Sequence, residues 1–225
     1  MLRQVLLPSN PQRKTHESEL LKLREEHPNE LVVCLLHIIS QQSELEIRTL
    51  ACVLLRQMFS KLGSSHAQVW ASLTEHTQEL LKEKLLELIK QEPQLLLRKK
   101  LGEAVAELAI NTVGLNPSSS WDALMLFLVE SVMSEDKLQL VTGFHTLLPL
   151  FTFFHEEMMG QKELFFQVFK KNLNSADTEI RSVCVTAICT LLGIVDFPDA
   201  MYFCELLTPL LKSAIWLATQ GEALG

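Results

Sequence analysis

Apolar residues return every three or four positions along almost the whole chain, and Leu45 to Leu62 (LEIRTLACVLLRQMFSKL) shows the pattern most plainly. Ile47, Leu50, Ala51, Leu54 and Met58 recur at helical spacing, and Leu55, Phe59 and Leu62 widen the stripe. Thr49, Arg56, Ser60 and Lys61 are left for water or a partner. So broad an apolar face needs packing on two sides. Similar stretches follow at Leu97 to Val113 and Glu179 to Ile194, each opening on an aliphatic residue and an arginine (Ile47-Arg48, Leu97-Arg98, Ile180-Arg181).

Read in order, the chain predicts about eleven helical segments joined by short turns, with no strand. Residues LRQVLLPSNP look like the tail of a helix, and Arg13 to His27 forms the next, closed by Pro28. Asn29 is placed to cap ELVVCLLHIISQQ, and Ser43 opens the Leu45 helix. After Gly63-Ser64-Ser65 come a short segment around Trp70 and the Thr77 to Gln91 helix, then the Arg98 helix and the surface turn GLNPSSS. Ser120 is read as the cap of Trp121 to Met133, and Glu135 or Asp136 as the start of one long buried helix from Leu138 to Phe154. Lys162 to Leu173, the Arg181 helix and a last helix over Ala200 to Ala218, interrupted at Pro209, complete the series. The arginines lie 50 and 83 residues apart, and 83 is close to two periods of about 40, the spacing of HEAT or armadillo helix pairs. The fold class is therefore all-α, a right-handed α-solenoid of about five HEAT-type hairpins. The approximate repeats are 1–27, 29–62, 66–113, 120–157 and 161–195, with a half repeat at 197–219, in a single array over 1–225.

Composition narrows the function. With 48% hydrophobic residues and eight each of Gly and Pro, the chain is built to fold. Net charge is −7 and there is no dense basic run, which disfavours nucleic acid and favours basic partners. Five cysteines sit in apolar helical runs, read as buried, reduced thiols of the cytosol or nucleus; Cys184 and Cys189, five apart, point to different sides. No signal peptide opens the chain, and Leu138 to Phe154 falls short of the ~20 apolar residues of a membrane span. The seven histidines show no HExxH or i,i+4 pairing. Without a P-loop or GxSxG either, neither an enzyme, nor a metal, nor a cofactor is expected.

The opening residues QVLLPSNPQRKTHESELLKLREEHP resemble the first repeat of the importin-β (karyopherin) family of nuclear transport receptors. LEIRTLACVLLRQMF is similar to that family's second repeat, and VWASLTEHTQELLKEKLLELIKQE followed by LRKKLGEAVAELA to its third. The resemblance implies a nuclear import receptor that shuttles between cytoplasm and nucleus. Its implied partners are RanGTP on the concave N-terminal face, basic cargo, and Phe-Gly nucleoporins between outer helices. Family members are several times longer, so the chain reads as an N-terminal fragment; the acidic loop that helps some members hold Ran is absent from these residues. The alternative is a generic HEAT or armadillo scaffold for another complex, separable by nucleotide-dependent Ran binding.

In such an array the second helix of each pair lines the concave face. The polar positions at helical spacing there are Arg56, Gln57 and Ser60 on one helix and Glu103, Glu107 and Asn111 on another, the candidate Ran-binding residues; they could equally be plain solvated positions. Arg48, Arg98 and Arg181 are read as a ladder to acidic groups of neighbouring repeats rather than a binding stripe. The phenylalanines between Phe144 and Phe169 are read as core rather than as an aromatic groove. Outer helices for Phe-Gly segments are placed at Trp121 to Met133, Lys162 to Leu173 and Ala200 to Ala218.

Overall fold

The computed structural model describes residues 11–60, 66–112 and 121–223, with side chains given for 16–60, 69–112 and 121–220. The N-terminal helix tail, the Gly63-Ser64-Ser65 break, the GLNPSSS turn and the Ser120 cap lie outside the described residues. Helices α1 (Pro11–Glu26), α2 (Pro28–Gln41), α3 (Leu45–Phe59), α4 (His66–Ser72), α5 (Glu75–Gln91) and α6 (Leu95–Thr112) belong to one compact unit. The second unit, from Asp122, holds α7 (Asp122–Met133), α8 (Lys137–Leu147), α9 (Phe151–Met159), α10 (Lys162–Asn172), α11 (Thr178–Leu192), α12 (Phe197–Tyr202) and α13 (Leu207–Ala223). Among the described residues there is no strand.

In the first unit, α2–α3 and α5–α6 are helical hairpins whose like members meet: α3 packs along α6, and α2 along α5. Val32, Leu35 and Ile39 of α2 and Ile47, Ala51 and Leu55 of α3 are buried together with Leu81, Leu85 and Ile89 of α5. Helix α6 is buried on nearly all sides, because Gly102, Ala104, Ala106 and Ala109 let its neighbours approach closely and leave only narrow strips open. The capping signals were partly misplaced. Asn29 does not cap α2, whose N-terminus is preceded by His27 without a side-chain cap. Its Oδ1 instead accepts from the Thr74 N–H at 2.9 Å, across to the start of α5, where Thr74 caps the helix through the Thr77 N–H.

The second unit is organised around aromatic rings. Phe144 and Phe169 stack with centroids 6.2 Å apart, Phe165 lies 6.0 Å from Phe169, and Phe203 closes on Phe169 at 6.2 Å. The cluster is core, as the spacing predicted, although Phe153 is left exposed. The single helix expected over Leu138 to Phe154 is broken. It gives way to a 3-10 turn at Leu148–Leu150 carrying Pro149, and Phe154 within α9 leaves helical geometry at φ −122°, ψ 20°. Proline has no N–H to give the preceding turn and its ring crowds the carbonyl four residues back, so one continuous helix is not available there. The last helix is also interrupted, but at Phe203 (φ −91°, ψ 5°) rather than at Pro209. Pro209 falls in the first turn of α13, where a missing N–H costs nothing.

Cys52 and Cys184 are buried, while Cys34, Cys189 and Cys204 are exposed, which corrects the reading that all five are interior. Burial pushes the Cys52 and Cys184 thiols up to about 12. Among the described residues no helix is long and apolar enough to cross a membrane, and no group of His, Cys, Asp and Glu is placed to hold a metal ion.

Candidate protein-binding surface

Three of the hairpin turns are each held by the arginine near the start of the second helix. Arg48 Nε donates to the Ile39 carbonyl at 2.7 Å, Arg98 Nη2 to Lys90 O at 2.6 Å, and Arg181 Nε to Ser175 O at 2.8 Å. Arg98 Nε also reaches the carbonyl of Glu92. The expected acidic ladder is thus mostly a set of clasps on the backbone of the same hairpin. Helix C-termini expose carbonyls with no partner of their own, and a guanidinium offers several donors to them. Arg48 also reaches an acid of the next hairpin, pairing with the buried Glu92. Arg181 instead lays its guanidinium 3.8 Å over the Trp216 ring.

With the hairpins so fixed, α3 and α6 run side by side and bring part of the predicted stripe together. Arg56 on α3 pairs with Glu103 on α6, and Lys100 Nζ lies 2.7 Å from the other oxygen of Glu103. These side chains stay about a third exposed: 34% for Arg56, 35% for Glu103 and 33% for Lys100. Glu107 is half-buried one turn further on.

Asn111 departs from the expectation of a solvated position. It is buried, and its Nδ2 donates to Phe59 O at 2.7 Å, to Glu107 O at 2.9 Å and to Glu107 Oε1 at 3.1 Å. The reason is its place at the end of α6 opposite the last turn of α3, where an orphaned carbonyl needs a donor. Ser60 is half-buried just past α3. Gln57 is exposed but turned away from α6: it lines a 340 Å³ cleft between α1, α2 and α3 together with Arg24, Leu20, Leu54 and Met58.

A second groove was not foreseen. Between α2 and α5 lies a 430 Å³ cavity with Val33, Leu36, Leu80 and Leu88 as apolar lining and His37, Lys84, Glu87 and Gln91 as polar lining. The signal was present in the sequence as apolar positions left over on the first helices of both hairpins. That those helices stand next to each other was needed to read it.

Two family models match the chain. One, described as importin-beta N-terminal domain, covers residues 17–91, and one described as IPO5-like, TPR repeats covers residues 93–221. Among solved structures, the chain resembles Kap121p with a TM-score of 0.76 at 18% identity, over 98% of this chain and 20% of that one. It resembles Kap121p bound to RanGTP with a TM-score of 0.74 at 19% identity, over 98% and 19%. For Kap121p bound to Nup53p the values are 0.73 and 18%, over 98% and 20%. The fold is that of these karyopherins, an all-α HEAT-type array, and the chain spans about a fifth of their length.

Proposed function

Because this chain belongs to the importin-β family of nuclear transport receptors, we propose that its first unit receives RanGTP on the α3–α6 face. The observation that carries the reading is the mixed-charge strip of Arg56, Lys100, Glu103 and Glu107 on two adjacent second helices, its first three members open by about a third beside a largely buried stretch of α6 from Leu101 to Ala109. Kap121p, whose fold this chain shares, has been crystallised with RanGTP. A surface with both signs of charge suits a nucleotide-ordered protein loop better than nucleic acid, which calls for net positive charge. Ser60 lies just past α3 near the strip's end, Gln57 faces the α1–α2–α3 cleft instead, and Asn111 supports the strip from beneath. The whole receptor would carry basic cargo between cytoplasm and nucleus, in keeping with the chain's acidic balance.

The test is a pull-down with Ran loaded with GTP or GDP. The GTP form is expected to be retained by the wild type and lost from the double variant Glu103→Lys, Glu107→Lys, which should still unfold in one cooperative transition because the part-exposed ion pairs it removes are worth about 0–1 kcal/mol each. Equal retention of both nucleotide forms would remove Ran and leave a HEAT scaffold for another complex.

The groove between α2 and α5 supports a second contact. Its apolar lining accepts a single aromatic ring, and Kap121p has been crystallised with the nucleoporin Nup53p. A Phe-Gly segment of a nucleoporin is the ligand this groove fits.

A further inference from the structure

The α2–α3 and α5–α6 hairpins are tied at both ends and in the middle. At one end Arg48 pairs with Glu92, which is 2% exposed. At the other, Asn111, 7% exposed, donates to the Phe59 carbonyl. The middle tie, Arg56 to Glu103, differs in lying open to solvent.

Its two members are not equally free to leave. Glu103 is also held by Lys100 on its own helix, so withdrawing it breaks two ion pairs. Among the described residues, withdrawing Arg56 breaks only its pair with Glu103. A second carboxylate, Glu107, also stands at this place with no cation on it among the described residues. Glu107 lies one turn beyond Glu103, and against it sits the amide end of Asn111, whose Oδ1 has no partner among the described residues. A part-exposed carboxylate without a counter-charge favours the approach of a cation.

We propose that Arg56 is a built-in stand-in for a partner's cation. An ammonium or guanidinium of the bound protein displaces it from Glu103 and is received by Glu103 and Glu107, so binding opens the middle tie while the buried end ties hold. This rests on the reading of the α3–α6 face as the partner surface, and it fixes the sign of charge the partner presents there.

The sign separates it from the reverse arrangement, a partner carboxylate landing on Arg56 and Lys100. Wild type, Arg56→Met and Glu103→Gln are titrated with GTP-loaded Ran and, separately, with a short Lys/Arg-rich peptide. Arg56→Met is expected to tighten binding of both probes by about two- to fivefold, the scale of an exposed ion pair, and Glu103→Gln to weaken both. A pair serving only to brace the hairpins would instead lower the melting temperature alike in the two variants and leave binding untouched. The proposal is overturned if Arg56→Met weakens or leaves unchanged the binding of the peptide, if both variants shift it in one direction, or if the peptide binds none of the three proteins. Opposite shifts with the peptide, while Ran binds no variant, would uphold the stand-in and remove the Ran reading instead.

Discussion

Gly143 stands where α7 and α8 come closest. A Cβ built on it would lie 2.6 Å from the Ser131 Cβ and 3.1 Å from the backbone of Ser131 and Val132. Neither helix can give way without moving its own core contacts, so Gly143→Ala is expected to cost about 1–3 kcal/mol in urea denaturation. Ser131→Gly in that background should recover part of the loss. Ser131 Oγ has no partner among the described residues, so removing it sacrifices no hydrogen bond. An undiminished midpoint for Gly143→Ala would show that the helices can separate freely. At this scale the sequence was legible for residue type and poorly for partner. The arginines at Arg48, Arg98 and Arg181 stood out by position, but whether a guanidinium turns to a carboxylate or to a helix-end carbonyl depends on the turn geometry. Asn111 likewise follows the spacing of Glu103 and Glu107, yet a position at the end of the helix opposite a neighbour's last turn makes it interior.

At the scale of elements, apolar periodicity located most helices within a few residues, and what it missed were breaks. The apolar period continues through Pro149 and Phe203, with Leu147, Leu150 and Phe151 around the first and Leu206 and Leu210 past the second all buried. Helix α13 keeps a row of apolar residues outward: Leu207, Leu211 and Ile215 are 45%, 65% and 66% exposed, at i, i+4 and i+8. On the same helix Leu210 and Ser213 are buried, with Ser213 Oγ donating to Leu173 O at 2.7 Å. The segment expected as a half repeat over 197–219 thus leaves an outer apolar row open to water while Leu206 and Leu210 are buried. Leu211→Glu with Ile215→Lys is expected to leave the melting temperature within about 0.5 kcal/mol of wild type and to abolish concentration-dependent association in sedimentation velocity. Cooperative loss of the α13 helix in that variant would place the row in the core instead.

Across the whole molecule, the kind of architecture was readable because many wide-faced helices in sequence leave few alternatives to stacked hairpins. Its grooves were not. The α2–α5 groove lies earlier in the chain than the outer helices expected to take Phe-Gly segments, and it arises from two helices separated by α3 and α4. Only the side-by-side stacking of hairpins creates it. Titrating 15N-labelled protein with a Phe-Gly peptide should shift the amides of Val33, His37, Leu80 and Lys84. Replacing Leu80 with Glu should suppress the shifts while leaving those of the α3–α6 strip alone. Shifts confined to residues after Trp121 would return the site to the helices first expected.

The arginine clasps bear also on how the chain reaches this state. They join groups nine, six and six residues apart, from Arg48 to Ile39, Arg98 to Glu92 and Arg181 to Ser175. The pairing of Arg48 with Glu92 spans 44. Loops of under ten residues close in about 10–100 ns and at little entropic cost, far faster than a ribosome supplies the next helix at about 5–20 residues per second. Each of these three hairpins can therefore shut on its own backbone while its neighbour is still unmade. Helices of near-identical pattern are then committed to their sequence-adjacent mates before any wrong one is present.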